Sequence, residues 1–198
     1  MTPRYINNAV VDSIVDVYWS MFEKGDTTSI NSYDVCVMGN IDRNTFDKYF
    51  ESASDILAHV EEEQLYRLEK FFESTEGMTR HYVRFVKIFR EYFLSNARYL
   101  VPLVLDYRDP AFSFEYRSML EDRMFKDLDV VLFKRDERSV QVIDIVISGI
   151  IDIFLRSVAV KELSDDDLII ILEGYMDRGL RMTLKDNFGI YVSMNHYE

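Results

Sequence analysis

The sequence predicts an all-α fold of about nine helices, divided into a small N-terminal head and a larger C-terminal body. Three observations predict it. Apolar residues recur at helical spacing almost throughout the 198 residues. Strand-like alternation is rare. Only three prolines (Pro3, Pro102, Pro110) and seven glycines interrupt the chain, so few points break a helix.

The elements follow in order. Ile6, Val10, Ile14, Val17, Tyr18, Met21 and Phe22 make one stripe on a first helix. The stretch from Ile30 to Phe50 reads as helix, tight turn, second helix: Asp34, Val35 and Cys36 in the first, Gly39-Asn40 as the turn. Glycine and asparagine reach the left-handed backbone cheaply, and Asp42 can accept the orphan N–H groups of the second helix. Ser52 precedes a helix from about 53 to 72, with Ile56, Leu57, Val60, Leu65, Leu68 and Phe71/Phe72 inward. Gly77 breaks it, and Thr79 can start the next, with Tyr82, Phe85, Val86, Phe89 and Tyr92/Phe93 on one face. Pro102 kinks a further helix that ends before Asp109-Pro110. Long helices follow over about 112–132 and 137–160. Ser164 and the acids Asp165 to Asp167 form a strong start signal for a last helix over about 164–184.

Composition narrows the class. At 48% hydrophobic residues the chain can build a substantial core without staples, and the single cysteine, Cys36, excludes an internal disulfide. Cys36 falls on an inward helix face, where a thiol acts as a small hydrophobe. A reducing, cytoplasmic location is the expectation, because no basic start followed by an apolar run marks a secretory leader. The most apolar stretch, 140–160, carries Asp144, Asp152 and Arg156 and does not read as a membrane span. His59, His81 and His196 form no ligand pair, so no metal or cofactor is expected. No nucleophile elbow, phosphate loop or paired catalytic pattern is present, and an enzyme is not expected.

A short second helix held at a fixed angle by a first is the helix-turn-helix device that enters a DNA major groove. Residues Met21-Phe22-Glu23-Lys24-Gly25, Thr27-Thr28-Ser29-Ile30, the Asp34-Val35-Cys36 helix, Gly39-Asn40-Ile41, Arg43-Asn44-Thr45-Phe46, Tyr49-Phe50-Glu51-Ser52 and Asp55-Ile56-Leu57 stand in order and at family spacing. Over about Ile6 to Leu57 the chain resembles the DNA-binding domain of the TetR family of transcriptional regulators. The remainder matches in length and helical layout. The resemblance implies a DNA-binding domain over 1–52, a ligand-binding and dimerisation domain over 53–198, and a homodimer paired through its last two helices. It also implies core roles for Phe46 and Phe50. Thr45, Lys48 and Tyr49 match positions that touch phosphates or bases. Thr28, Asp42, Asn44 and Asp47 complete the candidate DNA-binding set with Arg43, since arginine is the best reader of guanine edges.

Charge pulls the other way. Net charge is −12, and residues 1–60 hold four basic residues (Arg4, Lys24, Arg43, Lys48) against nine acidic ones. Lysine and arginine on phosphates dominate DNA affinity. The family usually has Tyr where Asp47 stands, and often a phosphate-holding Lys where Ala53 stands. Neither position reads as core.

In the body, aromatic residues cluster on three helices. Phe85, Phe89, Tyr92, Tyr99, Phe112 and Tyr116 are the candidate lining of a pocket for a small apolar or aromatic ligand, with Arg84, Asn96 and Arg98 as polar anchors. The helix over 137–160 is apolar around nearly its whole circumference, which demands burial on all sides. A symmetric dimer interface through Ile143, Ile147, Ile150, Phe154, Leu168, Ile171, Leu172 and Tyr175 explains this economically, with Gly149 and Gly174 permitting close approach. The expected function is a ligand-responsive, DNA-binding transcriptional regulator of repressor type acting as a homodimer. The alternative is a homodimer of the same fold that binds a small molecule or protein and has lost operator binding.

Overall fold

Every regular element is helical in the computed structural model, which describes residues 8–24, 30–75, 82–127, 137–160 and 163–175. Eight α-helices occur among the described residues: α1 (Ala9–Phe22), α2 (Ser32–Gly39), α3 (Arg43–Phe46), α4 (Ala53–Ser74), α5 (Tyr82–Leu100), α6 (Pro110–Asp127), α7 (Glu137–Val160) and α8 (Asp165–Glu173). One π-helical segment, Val101–Leu105, follows α5 directly.

Side chains set the helix starts. Asn8, Asn31 and Asp42 each accept a backbone N–H in the first turn of α1, α2 and α3. Ser52 and Asp55 exchange bonds at the start of α4: Ser52 Oγ accepts from Asp55 N at 3.3 Å, and the Asp55 carboxylate accepts from Ser52 N at 3.0 Å. Ser164 and Asp167 form the same capping box on α8, and the Ser164 hydroxyl and N–H hold the Asp167 carboxyl below its usual range. Helix α6 starts at Pro110, two residues earlier than expected, because Asp109 Oδ1 accepts from Phe112 N at 2.9 Å and proline suits a first helical position. The expected continuations of α6 to 132 and α8 to 184 lie outside the described residues.

Pro102 has the expected effect in a particular form. It lacks an N–H and crowds the preceding turn, and the chain widens to π geometry, with Asp106 N donating to Val101 O at 2.9 Å. Tyr107 then takes a left-handed backbone, φ 52°, before α6 begins.

The chain divides into two compact units, Met1–Leu68 and Glu69–Glu198. The first half of α4 belongs with the head: the His59 ring stands edge-on to Phe50 at 5.7 Å, and the Glu61 carboxylate acts on Tyr18.

In the first unit the core is Val11, Ile14, Val15, Tyr18, Trp19, Phe22, Val35, Phe46, Phe50, Ile56 and Val60. The inward face of α1 is therefore rotated from the expected stripe. Val11, Val15 and Trp19 replace Val10, Val17 and Met21, and Trp19 stacks on Phe22 at 4.6 Å. A helix apolar on several sides does not announce which face turns in, and the largest ring took the core.

In the second unit α5, α6, α7 and the π segment pack together, and α8 packs on α5 and α7. Phe93 and Phe154 stack at 5.4 Å, Phe89 lies 5.9 Å from Phe154, and Phe71 meets Phe89 and Tyr92 at 4.9 and 4.5 Å. Leu100, Leu103, Val104, Leu155 and Leu168 fill the remaining core. No helix among the described residues is long and apolar enough to cross a membrane.

Candidate nucleic-acid interface and candidate ligand-sensing core

The turn between α2 and α3 is built by three residues. Asn40 adopts the left-handed region, φ 49° and ψ 44°. Ile41 N donates to Cys36 O at 2.9 Å and Asn40 N to Val37 O at 3.3 Å, the paired closure that ends a helix sharply. A Cβ at Gly39 would lie 2.6 Å from Ile41 Cδ1 and 3.0 Å from Val17 Cγ2, so a larger residue there would have to shift the Ile41 and Val17 side chains. Val35, Cys36 and Phe46 are buried beneath the turn and fix the two helices. The hinge and its cap are thus as the sequence requires: the Asp42 carboxylate accepts from Thr45 N at 3.1 Å.

Helix α3 itself is one turn long. Beyond it the chain continues in loose turns, with Asp47 N bonded to Arg43 O at 2.9 Å and Phe50 N to Phe46 O at 3.0 Å. Asp42, Arg43, Asn44, Asp47 and Lys48 are exposed, and Thr45 and Tyr49 are half-buried. The Tyr49 hydroxyl accepts from Asn8 Nδ2 at 2.7 Å, which anchors the ring and leaves its O–H to donate to an outside acceptor. Thr28 lies outside the described residues.

Arg43 and Asp47 were separate candidates in the sequence and are one unit in the structure. The Arg43 Nε lies 2.9 Å from Asp47 Oδ1, its Nη1 donates to Ser32 Oγ at 2.6 Å, and the guanidinium sits 5.2 Å from the Phe46 ring centroid. The aspartate that charge arguments place against DNA therefore neutralises the arginine beside it. Nη2 and the second Nη1 hydrogen remain for an outside partner, which still allows end-on approach to a guanine edge. Ala53 corrects the sequence reading: it is 9% exposed at the inward start of α4, so a lysine there would have to reach past the core rather than stand on the surface. Tyr33, Val37 and Met38 leave an apolar exposed face on α2 that the sequence did not single out.

In the second unit, Phe89, Tyr92, Phe112 and Tyr116 are buried and Tyr99 is half-buried. The side chains of Phe85 and Arg84 lie outside the described residues. Phe89 and Tyr92 are in ring contact with each other's neighbours, as core. The Tyr116 hydroxyl donates to Tyr92 Oη at 3.2 Å, and burial first, then Tyr92, pushes the Tyr116 pKa well above its ordinary value. Among the expected anchors, Asn96 is buried and donates to Tyr92 O at 2.8 Å, and Arg98 is exposed near the Tyr99 ring.

Gln64 and Arg117 are buried polar groups that the sequence reading did not mark. Gln64 on α4 is fully buried, and neither its amide oxygen nor its nitrogen has a partner. Arg117 on α6 is also buried. Its Nε donates to Ser113 Oγ and its Nη2 to Asp152 Oδ1, both at 3.4 Å, and its Nη1 has no partner. No local signal in the sequence marked either one, because a polar residue on a helix is expected to face water.

The candidate interface residues separate into two groups. Phe154, Leu168 and Leu172 are buried within the single chain. Ile150 and Tyr175 are half-buried, and Ile171 is 40% exposed. Ile145 and Ile170, each 67% exposed, belong to the same two helices and were not singled out. Gly149 serves packing inside the subunit: a Cβ there would meet Tyr175 Oη at 2.6 Å. At Gly174 a Cβ would meet nothing within 4 Å. The side chains of Ile143 and Ile147 lie outside the described residues. No group of histidine, cysteine or acidic residues that could hold a metal occurs among the described residues. No protein-family model, curated protein or solved structure matches the chain.

Proposed function

We propose that this chain is a ligand-responsive DNA-binding transcriptional regulator of TetR type, acting as a homodimer and as a repressor. The observation that carries this reading is the turn at Gly39 to Asp42. It couples a left-handed Asn40, a capped α3 and a buried Phe46 to an exposed row of Arg43, Asn44 and Lys48. In a dimer, two such segments would enter successive major grooves. The exposed Ile145, Ile170 and Ile171 on α7 and α8 support pairing through these helices. A ligand that favours one head spacing in the dimer would then change operator affinity. Sedimentation at micromolar concentration should give a dimer, and Ile145→Glu with Ile170→Glu should give a monomer; a wild-type monomer would count against the reading.

A second reading has its own support. The Arg43–Asp47 pair cancels the charge of the residue best suited to read a base, which favours a homodimer of the same fold that has lost operator binding. Fluorescence titration with the chain's own upstream DNA separates the two. The regulator reading expects sequence-preferring binding at low salt. Asp47→Tyr releases Arg43 and should tighten it. Absence of preference in wild type, with preference created by Asp47→Tyr, selects the second reading. Ala53→Lys is a poorer test, because that position is buried.

A further inference from the structure

From the surroundings of Arg117 we infer a carboxylate-binding site at the junction of the π segment, α6 and α7, taking a small monocarboxylate with an apolar body. The inference rests on reading the second unit as a ligand-sensing body and names the chemistry of its ligand.

Arg117 is the starting point. Its side chain is 7% exposed, and a guanidinium stays charged at any ordinary pH. A buried arginine therefore needs its donors satisfied, and a strong charge-assisted bond runs at about 2.7–2.9 Å. Arg117 makes two hydrogen bonds, both at 3.4 Å, and its Nη1 makes none. Its counter-ion is also shared. Asp152 is 39% exposed and faces Arg156 as well, at 3.9 Å. The guanidinium thus retains positive charge and an Nη1 that is shielded from solvent yet has no hydrogen-bond partner, so a ligand reaches it only by displacing a neighbour such as the half-exposed Tyr107 ring. A carboxylate that does so would bind in the two-bond geometry arginine prefers.

A second observation marks the same place. Tyr107 lies with its ring 5.2 Å from the Arg117 guanidinium, and its backbone is left-handed, φ 52°. An aromatic residue rarely adopts that conformation, and strain of this kind persists where the surroundings hold it. The π segment that precedes it is itself a common marker of ligand sites. Tyr107 is half-exposed, so it forms the outer wall through which a ligand would enter. The elements around Arg117 bury Leu103, Val104, Phe112 and Tyr116, which sets the expected body of the ligand as apolar. The Ser113 hydroxyl, fully buried one turn before Arg117, is a second donor within the same helix face.

The test uses the full chain and two probes, benzoate and hexanoate, each against its neutral amide. Calorimetric titration of the wild type should give Kd values in the roughly millimolar range for the acids, as suits small ligands, and at least about tenfold weaker binding for the amides. Arg117→Lys keeps the charge but not the two-bond fork, and should weaken the acids about tenfold. Asp152→Asn removes the competing carboxylate and should tighten them by a similar factor; a purely structural ion pair predicts no gain. If neither acid binds better than its amide, or Asp152→Asn leaves binding unchanged, the site does not exist. Because the readout needs no DNA, acid binding without operator binding would keep the site and overturn the regulator reading. Operator binding without acid binding would do the reverse.

Discussion

Arg43 in the first unit and Arg117 in the second invert the usual relation between burial and bonding. Arg43 is half in water, yet its guanidinium holds an aspartate at 2.9 Å and a serine hydroxyl at 2.6 Å. Arg117 is buried, where an unmade bond is expensive, yet its hydrogen bonds are long and one nitrogen makes none. The exposed arginine is restrained by neighbours it could do without. The buried one lacks neighbours it needs. An exposed pair of this kind adds little stability, so the arrangement at Arg43 bears on what the surface can recognise. The arrangement at Arg117 bears on what the interior is prepared to receive.

The comparison implies that the second unit owes its stability to rings, not to its buried arginine. The largest expected effect is accordingly at Phe154, which is fully buried and stacked on Phe93. Phe154→Ala should cost about 3–5 kcal/mol in urea denaturation. The loss should persist at concentrations where the chain is a monomer, since the ring is covered by its own subunit. A loss confined to the dimer would move Phe154 from core to interface.

The tyrosines extend the comparison to pH. Burial pushes the Tyr18 pKa in the first unit up to about 12, with Glu61 adding to it, and raises that of Tyr116 in the second. Both are raised above their unfolded value of about 10. Their contribution is therefore full below pH 10 and is lost as pH climbs through the folded values, because the unfolded chain ionises first. Stability should fall by up to about 1.4 kcal/mol per pH unit for each tyrosine above pH 10. Tyr18→Phe and Tyr116→Phe should each flatten that slope in thermal melts, and an unchanged slope in either variant would remove that tyrosine from the account.

The smallest expected effect is at Arg117. A buried, under-bonded cation is a poor stabiliser, and its partner Asp152 can remain hydrated. Arg117→Met should stay within about 1 kcal/mol of wild type by chemical denaturation. A loss of several kcal/mol would mean that the arginine is structural, and the contrast with Arg43 would disappear.

How far the sequence could be read depends on which forces act locally. Caps and turns are short-range, and Asn40, Asp42, Ser52 and Ser164 do in the structure what their types and positions require. The position of Pro102 foretold a broken helix, although not the π geometry that resulted. The inward face of α1 was not legible, because apolar residues on several sides leave rotation to tertiary packing, which chose Trp19. Ala53 was misplaced for the same reason. The Arg43–Asp47 pair stood in the sequence at helical i,i+4 spacing and could have been read there. Gln64 and Arg117 could not: a polar residue on a helix is expected to face water, and only the fold buries these two.

The proposed regulator would read DNA through Arg43 in the α2–α3 segment, despite the acidic surroundings. Fluorescence titration of the full chain against upstream and scrambled DNA, over a range of salt concentrations, tests it most directly. Preference for the upstream sequence with a shallow salt dependence is the expected result, since few cations are available to displace counterions. Arg43→Ala should erase that preference at a cost of about 1–3 kcal/mol, while Lys48→Ala weakens both DNAs alike. Equal affinity of the wild type for both DNAs at low salt, or a preference that survives Arg43→Ala, would contradict it.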